Sequence, residues 1–130
     1  MILADTDVLI DHIAGIEPSS AIISAYASAD RLRITAINCF ELMSGATGNR
    51  GDTIRRLLAA IPILPLDREA AELAAEVRRE LERQGQSIGM GDSLIAGIAL
   101  TAGLPLLTRH RKHFERIPRL SLVQMKHPYR

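Results

Sequence analysis

At 130 residues, 47% of them hydrophobic and 24% charged, the chain has the size and composition of one globular domain that buries its own core. Cys39 is the only cysteine, which excludes an internal disulfide framework, and no Cys/His spacing suggests a zinc site. The formal net charge of +1 conceals an uneven distribution: residues 109–130 carry seven Lys/Arg against Glu115, whereas residues 1–108 carry nine basic and fourteen acidic groups.

That imbalance points to an anionic partner at one edge, set against the plainer reading of a solvated basic surface. Tyr26, Phe40, Phe114 and Tyr129 are the only aromatics, too few for a base-stacking platform, so phosphate contacts should dominate any nucleic-acid binding. Aspartates interrupt the N-terminal apolar stretch, so no signal peptide is read there. The longest uncharged run, Ser93–Thr108, is too short to span a bilayer and contains Gly103 and Pro105. A soluble cytoplasmic protein with no membrane association is expected.

In chain order, a first strand is predicted at Ile2-Leu3-Ala4, followed by helices at 6–14 and 18–28. A second strand at Leu32–Thr35 leads into a helix over 36–46, and another helix follows at 52–60. Ile63-Leu64 reads as a third strand. The helix at 67–84 has the clearest signature: Asp67 as cap, a stripe of Ala70, Leu73, Ala74, Val77 and Leu81, and Gly85 as stop. A helix at 92–102 precedes a fourth strand at Leu104–Leu107, and Leu120–Val123 reads as a fifth. Alternation of this kind predicts one domain over residues 1–130, an α/β protein built as a three-layer α/β/α sandwich around a mainly parallel sheet. Ligands in such sheets bind beyond the carboxyl ends of the strands, where strand order reverses. Asp5, Thr35 and Thr108 stand at three of those ends.

The carboxylates of LADTDVLID need an explanation, because Asp5 directly follows an apolar strand. Asp5 either caps the following helix or faces the crevice as a ligand. Glu41 lies in the apolar helix AINCFELMSG, where burial of an unpaired carboxylate would cost several kcal/mol; a buried salt bridge is the structural alternative. Asp92, in GMGDSLIAGIAL, either caps a very apolar helix or joins the other two acids. Three carboxylates within ~4 Å would repel by about 4 kcal/mol per pair at an effective dielectric of 20. A divalent cation removes that penalty, and hard oxygen ligands favour Mg²⁺ or Mn²⁺. Asp11 is expected to be an exposed helix residue.

DTDVLID, the apolar helix with Glu41, GMGDSLIA and LLTRHRKHFERIP, in that order and over nearly the whole chain, resemble a PIN domain, specifically the VapC toxins of type II toxin–antitoxin pairs. The resemblance implies a metal-dependent endoribonuclease toxin that uses Mg²⁺ or Mn²⁺. Asp5, Glu41 and Asp92 match the acidic catalytic and metal-binding positions; Asp7 and Thr108 match supporting ones. Where similar proteins commonly carry Asp or Asn after Thr-Arg, this chain has His110, a further candidate ligand. His113 is expected to be structural. Arg109, Arg111 and Lys112 are expected to seat the RNA backbone. The expected hydrolysis has water attacking phosphorus and the 3′-oxygen leaving, which gives 5′-phosphate and 3′-hydroxyl ends. A cognate VapB-like antitoxin, a toxin homodimer and a hetero-oligomer with the antitoxin are also implied, with the helices at 18–28 and 36–60 as contact surfaces. Two other readings stand beside this one: a PIN-like RNA-binding or regulatory module without nuclease activity, and a haloacid-dehalogenase-type phosphatase. The phosphatase would need a lysine before the Gly91-Asp92 pair, and the only lysines are Lys112 and Lys126.

Overall fold

The computed structural model describes residues 1–128. Tyr129 and Arg130, counted above among the aromatic and basic residues, lie outside the described residues. Four short strands, β1 (Ile2–Ala4), β2 (Leu32–Thr35), β3 (Ile63–Leu64) and β4 (Leu106–Leu107), form one parallel sheet in the order β3-β2-β1-β4. Strand order reverses at β1: the chain moves outward to β2 and β3 on one side and returns to place β4 on the other.

The seven helices of the described residues are α1 (Thr6–Ala14), α2 (Ser19–Ser28), α3 (Ala36–Ser44), α4 (Gly48–Ala60), α5 (Arg68–Arg83), α6 (Met90–Ala102) and α7 (Arg111–Phe114). Side chains alternate across the pleat, so neighbouring strand residues serve opposite cores. Ile2, Ala4, Ile34 and Leu107 pack with Val8, Leu9, Ile22, Ile23 and Ile54 from α1, α2 and α4. Leu3 and Leu106 pack on the other face with Val77 and Leu81 of α5, Ile95 and Ala96 of α6, and Phe114 of α7. This is the predicted three-layer α/β/α arrangement.

Two predicted strands are shorter than expected. Residues 120–123 form a single parallel bridge, Leu106 to Leu122, held by Leu106 N–H to the Ser121 carbonyl and Val123 N–H to the Leu106 carbonyl, both 2.9 Å. No longer ladder forms because β4 offers only two residues. Leu104 N–H bonds back to the Ala99 carbonyl at the end of α6, Pro105 has no N–H, and Thr108 already belongs to the crevice. α4 begins at Gly48 rather than 52, despite poor helix formers in its first turn.

The stripe predicted on α5 faces inward as expected, with Ala70, Ala74, Val77 and Leu81 buried, Leu73 half-buried and Asp67 Oδ1 accepting from Ala70 N–H at 2.9 Å. α6 crosses it at Gly97, where an added Cβ would overlap the Ala70 carbonyl oxygen and lie 2.7 Å from Ala74 Cβ. Among the described residues no helix is long and apolar enough to cross a membrane.

Candidate active site

Asp5 follows β1 and caps α1, with Oδ1 accepting from Thr6 N–H at 2.8 Å. The capping reading is realised, and the same carboxylate also meets side chains from beside the neighbouring strands. It is 4% exposed, and its carboxylate is held from both neighbouring strands. Thr108, just past β4, donates its hydroxyl to Asp5 Oδ2 at 2.7 Å. From the side of β2, the Asn38 amide donates to Asp5 Oδ1 at 3.2 Å and to Thr6 Oγ1 at 3.1 Å. Asn38 is itself locked in a capping box with Thr35, whose N–H and hydroxyl both donate to Asn38 Oδ1 at 3.1 and 2.7 Å. Thr6 passes the network on, its hydroxyl donating to Glu41 Oε1 at 2.8 Å.

Asn38 and Thr6 were not singled out from the sequence. The Thr35-x-x-Asn38 spacing after a strand was the available signal, and it reads equally well as a plain helix start. Glu41 is exposed rather than buried. α3 turns Asn38 and Leu42 inward and leaves Phe40, Glu41 and Met43 toward solvent, with Phe40 at 70% exposure. The apolar setting of Glu41 in the sequence is thus an apolar outer face, and a glutamate there needs no buried arginine.

Asp92 lies in the first turn of α6 without capping it: the N-cap is Gly89, which has no side chain to offer, and the Ser93 hydroxyl donates to the Gly89 carbonyl at 2.9 Å. Its carboxylate instead lies 3.0 Å from His113 Nδ1. Asp7 is buried, with Oδ2 accepting from Arg109 N–H at 2.9 Å and lying 3.9 Å from His110 Nε2. Asp11 is buried as well, contrary to expectation: it accepts from the Ser19 hydroxyl at 2.9 Å and pairs with Arg109 Nε at 3.0 Å. The wide inward face of α1 takes in Asp7, Val8, Leu9 and Asp11 together, and the guanidinium arriving after β4 makes burial of Asp11 tolerable.

Of the predicted RNA-contacting cations, Arg109 is engaged with Asp11, and Arg111 donates to the Val123 carbonyl at 2.9 Å and pairs with Glu115. Lys112 is exposed, and with His110 and His113 these residues line an open hollow of about 300 Å³.

Burial pushes the Asp5 carboxyl up to about 6, and the charges of Asp7 and Asp92 push the same way against the Thr108 and Thr6 hydrogen bonds. One ligand atom from each of Asp5, Asp7 and His110 lies within 4.8 Å of the others. Asp7 Oδ1 is buried with no hydrogen-bond partner. An unsatisfied carboxylate oxygen, converging acids and an imidazole nitrogen are a donor set that suits a divalent cation. Glu41 and Asp92 stand outside that tight trio but reach the same network, Glu41 through Thr6 and Asp92 through its charge on Asp5.

Fold and crevice together define a parallel α/β protein with a cation-receptive acidic site at its topological switch point. The PIN-domain family profile matches residues 2–120. Ribonuclease VapC10 of Mycobacterium tuberculosis is 32% identical over 114 residues, spanning 88% of this chain and 86% of that one. The tRNA(fMet)-specific endonuclease VapC of Salmonella typhimurium is 31% identical over 96 residues, 70% of this chain and 73% of that one. Among solved structures, VapBC2 from Rickettsia felis bound to a DNA fragment from its promoter superposes with a TM-score of 0.83 at 25% identity, covering 95% of this chain and 98% of that one. The chain belongs to the PIN-domain family, with VapC ribonucleases as its relatives there.

Proposed function

We propose that this chain is a cytoplasmic endoribonuclease toxin of a type II toxin–antitoxin pair, acting as one domain that requires Mg²⁺ or Mn²⁺. The observation that carries the reading is Asp5, a buried carboxylate fixed by Thr108, Asn38 and Thr6 beside Asp7, Asp92 and Glu41. The ribonuclease names of its relatives and the VapBC complexes among its structural neighbours support it. Asp5, Asp92 and Glu41, with Asp7 and His110, are the residues to hold the ion, and the imidazole nitrogen favours Mn²⁺ over Mg²⁺. A divalent cation bound there supplies an acidified water and neutralises phosphoryl oxygens.

The chain's own residues do the rest. Thr108 and Asn38 hold both oxygens of Asp5 in one orientation, and Thr6 does the same for Glu41. Lys112 and the guanidinium groups beside it seat the RNA phosphates. Water adds to phosphorus, the P–O3′ bond breaks and the 3′-oxygen takes up a proton, leaving 5′-phosphate and 3′-hydroxyl ends. A phosphatase that uses Asp5 as nucleophile is disfavoured, because it would need a lysine before the Gly91-Asp92 pair and the only lysines are Lys112 and Lys126. A VapB-like antitoxin and a toxin homodimer complete the proposed assembly.

The test is purified chain with RNA in Mg²⁺, Mn²⁺ or EDTA. Cleavage should require the ion, run faster with Mn²⁺, and stop on addition of the antitoxin encoded beside it. Asp5→Asn, Glu41→Gln and Asp92→Asn should each reduce it more than about 100-fold. Parental rates in EDTA would reject the metal requirement and parental rates in Asp92→Asn the ligand assignment, whereas RNA binding with no cleavage in either ion would favour a non-catalytic RNA-binding module.

A further inference from the structure

α7 is four residues long, and its anchor is Phe114, which is fully enclosed in the core cluster that also contains Ile95 of α6. That anchor holds the preceding residue, His113, over the first turn of α6. Its Nδ1 lies 3.0 Å from Asp92 Oδ2, with the ring 48% and the carboxylate 23% exposed. At that exposure the contact contributes little to folding. Nor is Asp92 engaged at the helix end, since α6 carries no side-chain cap. His113 also offers no atom to the tight group of Asp5, Asp7 and His110, so the ring is not one of that trio. What the contact does is orient. Rotation of an aspartate carboxylate about its last torsion is broad, and a fixed donor on one oxygen selects one orientation.

We infer that His113 is a positioning residue: its Nδ1–H holds one oxygen of Asp92 and thereby aims the other at a divalent cation in the crevice. The inference rests on the metal-nuclease reading above. Hydrogen bonds to a ligating carboxylate fix its direction, and their loss typically costs 10–100-fold in metal affinity. Both the neutral Nδ1–H tautomer and the doubly protonated ring present the same donor, so the role does not depend on the charge of the ring.

The test is Mn²⁺ affinity of the full chain, followed by the electron paramagnetic resonance of free Mn²⁺, together with thermal midpoints in EDTA. His113→Ala should weaken binding about 10–100-fold with an unchanged midpoint. His113→Asn, whose amide nitrogen falls where Nδ1 stands, should restore affinity to within a few fold, and His113→Gln, which places nitrogen near the Nε2 position, should not. Parental affinity in His113→Ala overturns the inference and leaves the nuclease reading standing. Equal losses in His113→Ala and His113→Asn also overturn it, because a donor at the Nδ1 position would then not suffice. A parental chain that binds no Mn²⁺ overturns the nuclease reading and this inference together.

Discussion

At Asp5, burial opposes ionisation and the hydrogen bonds to Thr108 and Thr6 oppose protonation; burial wins, with its pKa raised from 3.8 to about 6. An acid whose pKa rises on folding holds its proton more tightly folded than unfolded. Its contribution to stability is therefore most favourable below pH 3.8, falls as pH rises toward 6, and stays low above that. At about 1.4 kcal/mol per unit, the ion-free protein gives up roughly 3 kcal/mol over that interval. The expected outcome is an EDTA-treated chain whose thermal midpoint falls between pH 4.5 and 7 more steeply than that of Asp5→Asn, with Mn²⁺ at pH 7 recovering the loss only in the parental chain. Parallel slopes in the two proteins would remove the buried charge as the cause. Asp5 was legible in the sequence because a carboxylate after an apolar strand conflicts with its surroundings. Asn38, Thr6 and His113 present no such conflict, being ordinary in caps, helix starts and basic surfaces. The burial of Asp11 was hidden because its cation, Arg109, arrives from the far end of the chain.

At the scale of elements, agreement between sequence and structure follows how much local chemistry each element carries. α5 has a cap, a stripe and a stop, and it forms within a residue or so of the predicted limits. α7 has only Phe114 to bury amid Arg111, Lys112 and His113, so its four residues read as basic surface. The fifth strand shrank because pairing depends on a partner strand, and the partner here has two residues to give. The α5–α6 contact depends on a feature no propensity scale registers: Gly97 lets the Ala70–Ala74 turn approach the backbone of α6. In an open helix Gly→Ala stabilises by up to about 1 kcal/mol. Here the opposite sign is expected, because backbone as well as side chain would have to move. Gly97→Ala should lower stability by about 1–3 kcal/mol in urea unfolding. Unchanged or raised stability would show that the two helices can separate without cost.

For the whole molecule, the uneven charge seen in the sequence is only partly a matter of the site. Asp5, Asp7, Glu41 and Asp92 stand at or beside the carboxyl ends of the strands, whereas Glu69, Glu72, Glu76, Glu80 and Glu82 lie along α5. Much of the basic stretch is already committed: Arg109 to Asp11, Arg111 to Glu115 and the Val123 carbonyl, Arg116 to the carbonyls of Gln86 and Ser87. A count of positive residues therefore overstates the cations ready for phosphate: of the predicted trio, Arg109 and Arg111 are ion-paired, and Lys112 is exposed at the lip of the hollow beside His110 and His113 without an ion pair among the described residues. Each phosphate contact on single-stranded nucleic acid contributes about 0.7 to the slope of log affinity against log salt. In a Glu41→Gln background, which keeps the RNA intact, Lys112→Gln should lower that slope by about 0.7 while leaving the unfolding midpoint unchanged. Arg68→Gln is the matched control, since Arg68 sits exposed on α5 and paired with Glu72, and its slope should equal the parental value. An unchanged slope in Lys112→Gln, or an equal drop in Arg68→Gln, would move the RNA path away from the hollow and make the attraction a property of overall charge.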